Sequence, residues 1–321
     1  MFTRREAVVG ALGTSLAASC ASSRFPQGPA EFRAAKKFVT TESGLRMAYF
    51  EAGRGAPIVF LHGNPTSSYL WRKVIPHLTG LGRCIAPDMI GMGDSDKLPQ
   101  SGPNSYSFFE HLGRLDSLLD AVGADRDVTL VLHDWGGPLG FHWAMRNEAR
   151  VRGIAFMETF VVSQDDTNTP PQALEFFAWF RTGEAEREVL MNNAFVETVL
   201  LRQFPDMPEQ DRAEYRRPFV EAGESRRPTL DWPRQVPING EPADVHREML
   251  RCLRFMSETQ KPKLLIKAEP GGLIVGGRER VPRAWPGVSE VVAPGGHFVP
   301  EHSPDEVGHA CATWLARVGL R

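Results

Sequence analysis

The chain has 321 residues, of which 42% are hydrophobic and 24% are charged, so it can bury a sizeable core in one large domain with an insertion or in two domains. Its formal net charge is −2, and no block of lysines and arginines forms a basic patch, which argues against a nucleic-acid partner. The nine histidines are scattered, and neither Cys-x-x-Cys nor His-Glu-x-x-His occurs. We therefore predict no metal site and no cofactor.

Residues 1–30 do not fit a folded domain and are predicted to be an export signal followed by a disordered leader. Arg4 and Arg5 precede an uncharged, mostly small or apolar stretch at residues 7–18. That stretch is too short to span a bilayer but has the layout of a bacterial paired-arginine signal. Cys20 follows small residues and is a candidate for a lipid anchor. We expect an exported, periplasmic protein, either free or as a lipoprotein; the alternative is a disordered start with incidental arginines.

Strand and helix patterns alternate along the next part of the chain. A hairpin is predicted at residues 36–52, followed by strands at 57–61, 83–87, 128–132 and 153–158 and helices at 69–79, 106–121 and 138–147. Such alternation is the signature of a mostly parallel sheet with helices on both faces. We assign residues 31–160 to this α/β core.

The strand pattern disappears over residues 161–243, where helical stretches carry many aromatic residues and are punctuated by prolines. This segment is predicted to be an inserted helical cap. Strands at 263–267 and 289–292 and a closing helix at about 304–318 then resume the sheet. The core is therefore predicted to comprise residues 31–160 and 244–321.

A strand–turn–helix motif places one carboxylate in an exposed position. The apolar strand 128–132 runs into His133-Asp134-Trp135-Gly136-Gly137 and then into a helix, which is the context of a nucleophile elbow. Asp134 stands where such an elbow usually carries serine. A carboxylate can attack saturated carbon and form an ester, provided that the leaving group departs without needing a proton.

Two neutral donors accompany this carboxylate. In an elbow architecture the loop after an earlier strand and the residue after the nucleophile supply backbone N–H groups to an oxyanion hole; here these residues are Asn64 and Trp135. Both side chains also carry N–H donors. Paired donors suit an anion that develops as a bond breaks, such as a halide, and each can lower the barrier by roughly 2.7–4 kcal/mol.

Four stretches resemble haloalkane dehalogenases of the α/β-hydrolase superfamily, and most closely the hexachlorocyclohexane dehalogenase branch: residues 62–72, 86–98, 133–137 and 295–306. The likeness covers about residue 34 to the C-terminus. It implies an α/β-hydrolase fold, with a mostly parallel eight-stranded sheet flanked by helices and an inserted helical cap. It also implies hydrolysis of a small halogenated hydrocarbon substrate by water, giving an alcohol, a halide ion and a proton. Asp134 falls on the nucleophile position, His297 on the base position, and Asn64 and Trp135 on the halide-binding positions.

The histidine and its acidic partner are drawn from several candidates. His297 lies in the glycine-rich loop 295–298 and suits the superfamily order of nucleophile, acid, histidine, whereas His302 and His309 are better interpreted as surface residues. The acid is either Glu158, at the end of the strand after the nucleophile, or Glu269, after the strand that carries the acid in many α/β-hydrolases. The resemblance favours Glu158, with Glu269 as runner-up.

The cap aromatics predict the character of the substrate. Each aromatic side chain alone is more often packing between cap and core, but an apolar cover over Asp134 implies an apolar substrate and a desolvated carboxylate. By resemblance, Phe177, Phe195 and Phe298 are expected to face the pocket.

Three other functions remain open at this point. Epoxide hydrolases share the aspartate nucleophile, but they need an acid for the alkoxide, which cap tyrosines supply in that family. Of the four tyrosines here only Tyr215 lies in the predicted cap, and Asn64 stands where that family usually has a bulky apolar residue. A coelenterazine-type oxygenase, on the scaffold that a cnidarian luciferase shares with dehalogenases, is the second alternative. A non-catalytic binding protein is the third.

Overall fold

A computed structural model describes residues 25–41 and 43–319 of the chain. The predicted export signal and Cys20 lie outside the described residues. Within those ranges, no helix is both long enough and apolar enough to cross a membrane. Eight strands form one sheet: β1 (Lys37–Thr40), β2 (Arg46–Gly53), β3 (Pro57–Leu61), β4 (Arg83–Pro87), β5 (Val128–Asp134), β6 (Val151–Thr159), β7 (Lys263–Pro270) and β8 (Val288–Gly295).

The sheet is mostly parallel, as the sequence predicts. Its strand order is β1-β2-β4-β3-β5-β6-β7-β8; β2 runs antiparallel to both of its neighbours, and the remaining pairs are parallel. Every residue of β3 and β5 is buried, because helices cover both faces of a parallel sheet. The predicted α/β-hydrolase architecture is confirmed.

Eleven helices were found in the described part of the chain: α1 (Pro29–Ala34), α2 (Phe108–Ala121), α3 (Gly136–Arg146), α4 (Pro171–Trp179), α5 (Gly183–Asn192), α6 (Glu209–Arg216), α7 (Arg227–Arg234), α8 (Ala243–Glu258), α9 (Arg280–Arg283), α10 (Val299–His302) and α11 (Pro304–Val318). The helices predicted at 106–121, 138–147 and 304–318 correspond to α2, α3 and α11. The predicted helix at 69–79 is wrong. Two short 3₁₀ turns, Ser68–Trp71 and Ile75–His77, occupy it instead, because Pro76 has no N–H to continue an α-helix.

The start of the core also differs from the prediction. The sequence predicts a disordered leader through residue 30, but the ring of Phe25 packs edge-on against Phe50, with 5.5 Å between centroids. Helix α1 follows, and its Phe32 stacks on the same Phe50 at 4.4 Å. Burial of two aromatic rings stabilises this segment on the sheet.

Helices α4 to α7 occupy the segment predicted as the cap. One turn of π-helix, Phe195–Leu200, follows α5. The small apolar cluster inside the cap includes Phe180, Val189 and Leu230, all fully buried. Phe177 and Phe195 line a cavity together with Asp134 and Trp135, so the cap covers the carboxyl ends of the central strands.

Candidate active site

The carboxyl ends of neighbouring strands bring the predicted site residues together. Asn64 follows β3, Asp134 ends β5, Glu158 lies near the end of β6, and His297 follows β8. Strand β3 lies between β4 and β5, so successive connections leave it in opposite directions. Such a reversal opens a crevice at the carboxyl edge of a parallel sheet, where ligands bind.

Asp134 is held in a sharp, left-handed backbone conformation. Its φ is +50°, and helix α3 begins two residues later, so its side chain is presented at the strand end. The C=O of Asp134 accepts a 2.6 Å hydrogen bond from Oγ1 of Thr159. Only glycine fits at position 63, next to the Asp134 side chain, because a Cβ at that position would lie 1.9 Å from Oδ1 of Asp134.

The two carboxylate oxygens of Asp134 have different neighbours. Oδ1 accepts a 2.7 Å hydrogen bond from the backbone N–H of Asn64, and Oδ2 lies 3.6 Å from Nε2 of His297. Burial would raise the pKa of Asp134, but the nearby imidazole of His297 holds that pKa below its usual range. Asp134 is therefore ionised and available as a nucleophile at neutral pH.

His297 lies between two carboxylates. Its Nε2 faces Asp134, and its Nδ1 lies 3.5 Å from Oε2 of Glu158. Burial alone would lower the pKa of His297, but the nearby carboxylates of Asp134 and Glu158 outweigh that effect and raise the pKa to about 9. The free site therefore holds an imidazolium between two anions.

The carboxylate of Glu158 is fixed by backbone donors. Oε2 accepts hydrogen bonds of 2.7 Å from both Gly272 N and Leu273 N, in the loop after β7. Burial would raise the pKa of Glu158, but His297 and the N–H group of Leu273 lower it. Glu269, the other candidate acid, is exposed, and its nearest cation is Lys267 at 3.6 Å.

The two predicted halide donors both border the cavity. Nδ2 of Asn64 donates a 3.0 Å hydrogen bond to the backbone C=O of Thr229 in helix α7. Trp135 is buried among aromatic rings, 5.3 Å from Phe160 and 5.3 Å from Trp232 between centroids. These contacts fix both side chains at the wall of the cavity.

The cavity above Asp134 is apolar and of a size for a small molecule. Its volume is about 480 Å³, within the range of ligand pockets. The three aromatics predicted to face it do so, and Phe160 and Phe176 join them. The uncharged polar residues that line the cavity include Gln172, Thr198 and Gln203. An uncharged, largely hydrocarbon ligand suits this lining.

Several residues that shape the site do not follow from the sequence motifs. The loop donors Gly272 and Leu273 were not identified, although two consecutive glycines after a strand are a signal for a tight backbone turn. His133 was also missed as a contributor. Its Nε2–H donates a 2.8 Å hydrogen bond to the C=O of His297, and burial lowers its pKa to about 4, so His133 is a neutral donor that anchors the histidine loop.

The chain is similar to known proteins over most of its length. A family model described as the alpha/beta hydrolase fold matches residues 56–301. A haloalkane dehalogenase from Sphingobium indicum is 49% identical over 287 residues, which cover 88% of this chain and 96% of that protein. The chain belongs to the haloalkane dehalogenase family. Another member, from Mycolicibacterium smegmatis, is 47% identical over 86% of this chain and 89% of its own length.

Solved structures of haloalkane dehalogenases are similar to most of this chain. An ancestral haloalkane dehalogenase superposes with a TM-score of 0.83 at 39% identity, covering 89% of this chain and 100% of that one. A haloalkane dehalogenase from Bradyrhizobium elkani gives the same TM-score and identity, covering 89% of this chain and 98% of its own.

The cap tyrosine does not reach the cavity of this family member. The hydroxyl of Tyr215 donates a 2.8 Å hydrogen bond to Oε2 of Glu301, and burial and that carboxylate raise the pKa of Tyr215 well above its ordinary value. Among the described residues that line the cavity there is no tyrosine. The acid that an epoxide hydrolase takes from its cap tyrosines is therefore missing from this lining.

Proposed function

We propose that this haloalkane dehalogenase hydrolyses the carbon–halogen bond of small haloalkanes in two steps, through an ester on Asp134. The observation that carries the proposal is the position of the Asp134 carboxylate. It lies beneath an apolar cavity that Asn64 and Trp135 also line, and its Oδ2 is 3.6 Å from Nε2 of His297. The products are an alcohol, a halide ion and a proton.

In the first step an oxygen of Asp134 attacks the carbon that bears the halogen. A carbon–oxygen bond forms as the carbon–halogen bond breaks, and the halide leaves with the bonding electron pair. The side-chain N–H groups of Asn64 and Trp135 stabilise the charge on the halide. The step consumes no proton, so His297 can remain an imidazolium while it takes place.

The ester changes the state of His297. Alkylation converts Asp134 from an anion to a neutral group and so removes one of the two charges that raise the pKa of His297. The imidazolium then releases its proton more easily and becomes a neutral base. The nucleophile therefore also controls when the base becomes available.

In the second step water attacks the ester carbonyl carbon. Neutral His297 removes a proton from the water, which contributes about 10²–10⁴ in rate, and Glu158 orients the imidazole and stabilises the imidazolium that forms. The backbone N–H of Asn64, which holds Oδ1 of Asp134 at 2.7 Å, stabilises the negative charge on the tetrahedral intermediate. Collapse of that intermediate breaks the bond between its carbon and the alkoxy oxygen, and the proton of the added hydroxyl passes to the leaving oxygen, so the alcohol departs and the Asp134 carboxylate is restored.

Halide and proton release test the proposal directly. We expect release from 1-bromobutane and 1,2-dibromoethane, followed with a pH indicator and a bromide assay, and we expect Asp134→Asn to abolish it. Styrene oxide, which carries no halogen, is the matched substrate for the epoxide alternative. The proposed mechanism is excluded if the protein turns over styrene oxide but releases no halide from either bromide. It is also excluded if an Asp134→Asn variant that is free of deamidation remains active.

A further inference from the structure

Helix α7 contacts both side chains proposed to bind the halide. The C=O of Thr229 accepts the hydrogen bond from Nδ2 of Asn64, and the ring of Trp232 lies 5.3 Å from that of Trp135. Thr229 is fully buried, so water does not compete for this carbonyl. One helix of the cap therefore sets the surroundings of both donors.

A carbonyl inside a helix normally has a partner within the same helix. In an α-helix the C=O of residue i accepts a hydrogen bond from the N–H of residue i+4, and for Thr229 that residue is Pro233. Pro233 lies inside α7 but has no N–H, and a proline ring also pushes aside the carbonyl four residues earlier. The C=O of Thr229 is therefore free to accept a hydrogen bond from outside the helix.

The freed carbonyl decides the orientation of the Asn64 amide. A carbonyl oxygen can face the NH₂ end of the amide but repels its oxygen end, so the flipped amide is disfavoured. The amide nitrogen carries two N–H groups, and the bond to Thr229 uses one of them. The second remains for an anion in the cavity that Asn64 and Pro233 both line.

We infer that Pro233 is a positioning residue for halide binding, because its missing N–H leaves the C=O of Thr229 to orient Asn64. The inference rests on the proposed function of Asn64 as a halide donor. Pro233 acts through Thr229 rather than by a hydrogen bond to the halide, since it has no donor of its own. An amino acid that restores the N–H at position 233 is expected to pull the carbonyl back into the helix.

The test compares two full-length variants that differ in a single group. Pro233→Ala restores the N–H, whereas lactic acid at position 233, introduced by nonsense suppression, has the same methyl side chain but an ester oxygen in place of the N–H. Bromide affinity is measured by quenching of tryptophan fluorescence. The side-chain amide signals of Asn64 are followed by ¹H–¹⁵N NMR and identified by their loss in Asn64→Ala. Thermal unfolding verifies that both variants are folded.

We expect Pro233→Ala to weaken bromide binding about fivefold, the effect of one net hydrogen bond, and to move the Asn64 amide proton signal upfield. The lactic acid variant should retain about fivefold more affinity than the alanine variant and keep the Asn64 signal close to its original position. Equal losses in the two variants would mean that the proline ring acts only as a cavity wall, and would overturn the inference.

The role of Asn64 is tested separately in the same assays. In an Asn64→Ala background, Pro233→Ala should weaken bromide binding no further, because the coupled pair is already broken. An additional fivefold loss in that background would also overturn the inference. Unchanged bromide affinity in Asn64→Ala alone would instead contradict the proposed function of Asn64, while the NMR comparison would still decide whether Pro233 orients the amide.

Discussion

The Nε2 atom of His297 lies 3.6 Å from Oδ2 of Asp134, so the proposed base and nucleophile form an ion pair in the free site. Each group shifts the pKa of the other: His297 lowers that of Asp134, and Asp134 raises that of His297. The pair keeps the carboxylate ionised for attack. It also keeps the imidazole protonated until the carboxylate has reacted.

The first prediction concerns the pH dependence of the two steps. The pKa of His297 is raised to about 9 in the free site, and loss of the Asp134 charge on alkylation lowers it, so the hydrolysis step should rise with pH and level off above a midpoint below about 9. Ester formation needs only ionised Asp134 and should stay flat between about pH 6 and 8. Quench-flow with 1,2-dibromoethane separates the two rates. A hydrolysis midpoint at or above 9 would contradict the proposed loss of charge.

The second prediction is that removing the base traps the ester. In His297→Gln, the first step still proceeds, but hydrolysis should slow by about 10²–10⁴. Mass spectrometry after exposure to 1-bromobutane should find one butyl group on the peptide that carries Asp134. The double variant Asp134→Asn, His297→Gln is the control and should gain no mass. Failure of the single variant to gain mass would exclude a covalent ester.

The third prediction separates the two glutamates. Glu158→Gln removes a charge that stabilises the imidazolium, so hydrolysis of the ester should slow by at least about 100-fold, and the pKa of His297 in the free site should fall. Glu269→Gln is the matched control, since Glu269 is exposed, and its rate should stay within about twofold. Steady-state halide release compares the variants, and an equal loss in both would reject Glu158 as the partner of His297.

The fourth prediction concerns the buried ion pair between Arg72 and Glu301 of helix α10. Arg72 donates hydrogen bonds of 2.6 and 2.7 Å to the two carboxylate oxygens of Glu301, and Tyr215 of cap helix α6 donates to the same carboxylate. Glu301→Ala would leave the buried Arg72 guanidinium with Asp211, at 3.2 Å, as its remaining carboxylate partner and the Tyr215 hydroxyl without its acceptor, and should lower the free energy of unfolding by about 3 kcal/mol. Urea unfolding measures the loss.

A surface ion pair supplies the control for that measurement. Arg283 and Glu290 form an equally short contact of 2.6 Å, but the Arg283 side chain is 44% exposed. Glu290→Ala should therefore change the free energy of unfolding by no more than about 1 kcal/mol. A similar change in the two variants would show that burial of the Arg72 pair does not matter.

The fifth prediction concerns the predicted export signal, which lies outside the described residues. We propose that Arg4 and Arg5, followed by the uncharged stretch 7–18, direct export through a paired-arginine signal. Replacement of both arginines by lysine should keep the chain in the cytoplasm of a bacterial host, as measured by fractionation, whereas Cys20→Ser should block only a lipid anchor. Export that is unaffected by the arginine replacement would reject this signal type.

Local patterns predict the mostly parallel sheet and most of its strand ends, whereas the α/β-hydrolase architecture is what the family resemblance implies. Apolar runs bounded by turn residues predict strands β3 to β8 to within a few residues, because burial on both faces of a parallel sheet requires continuous apolar stretches. The same reasoning misassigned residues 69–79, where the apolar spacing suggested a helix but Pro76 prevents one. Local patterns also do not predict the packing of Phe25 on Phe50, because this contact joins residues that are far apart in the chain.

The elbow motif and the family resemblance predict Asn64, Asp134 and His297 from the sequence, and they favour Glu158 over Glu269 without excluding either glutamate. The folded chain is needed to show which glutamate faces His297 and how the Asn64 amide is oriented. Glu158 and Glu269 both lie near strand ends, and the direction of each side chain depends on the loop whose N–H groups bind Glu158. The orientation of Asn64 depends on Thr229, 165 residues away. Local sequence patterns do not predict such contacts, because they form only when the cap packs on the core.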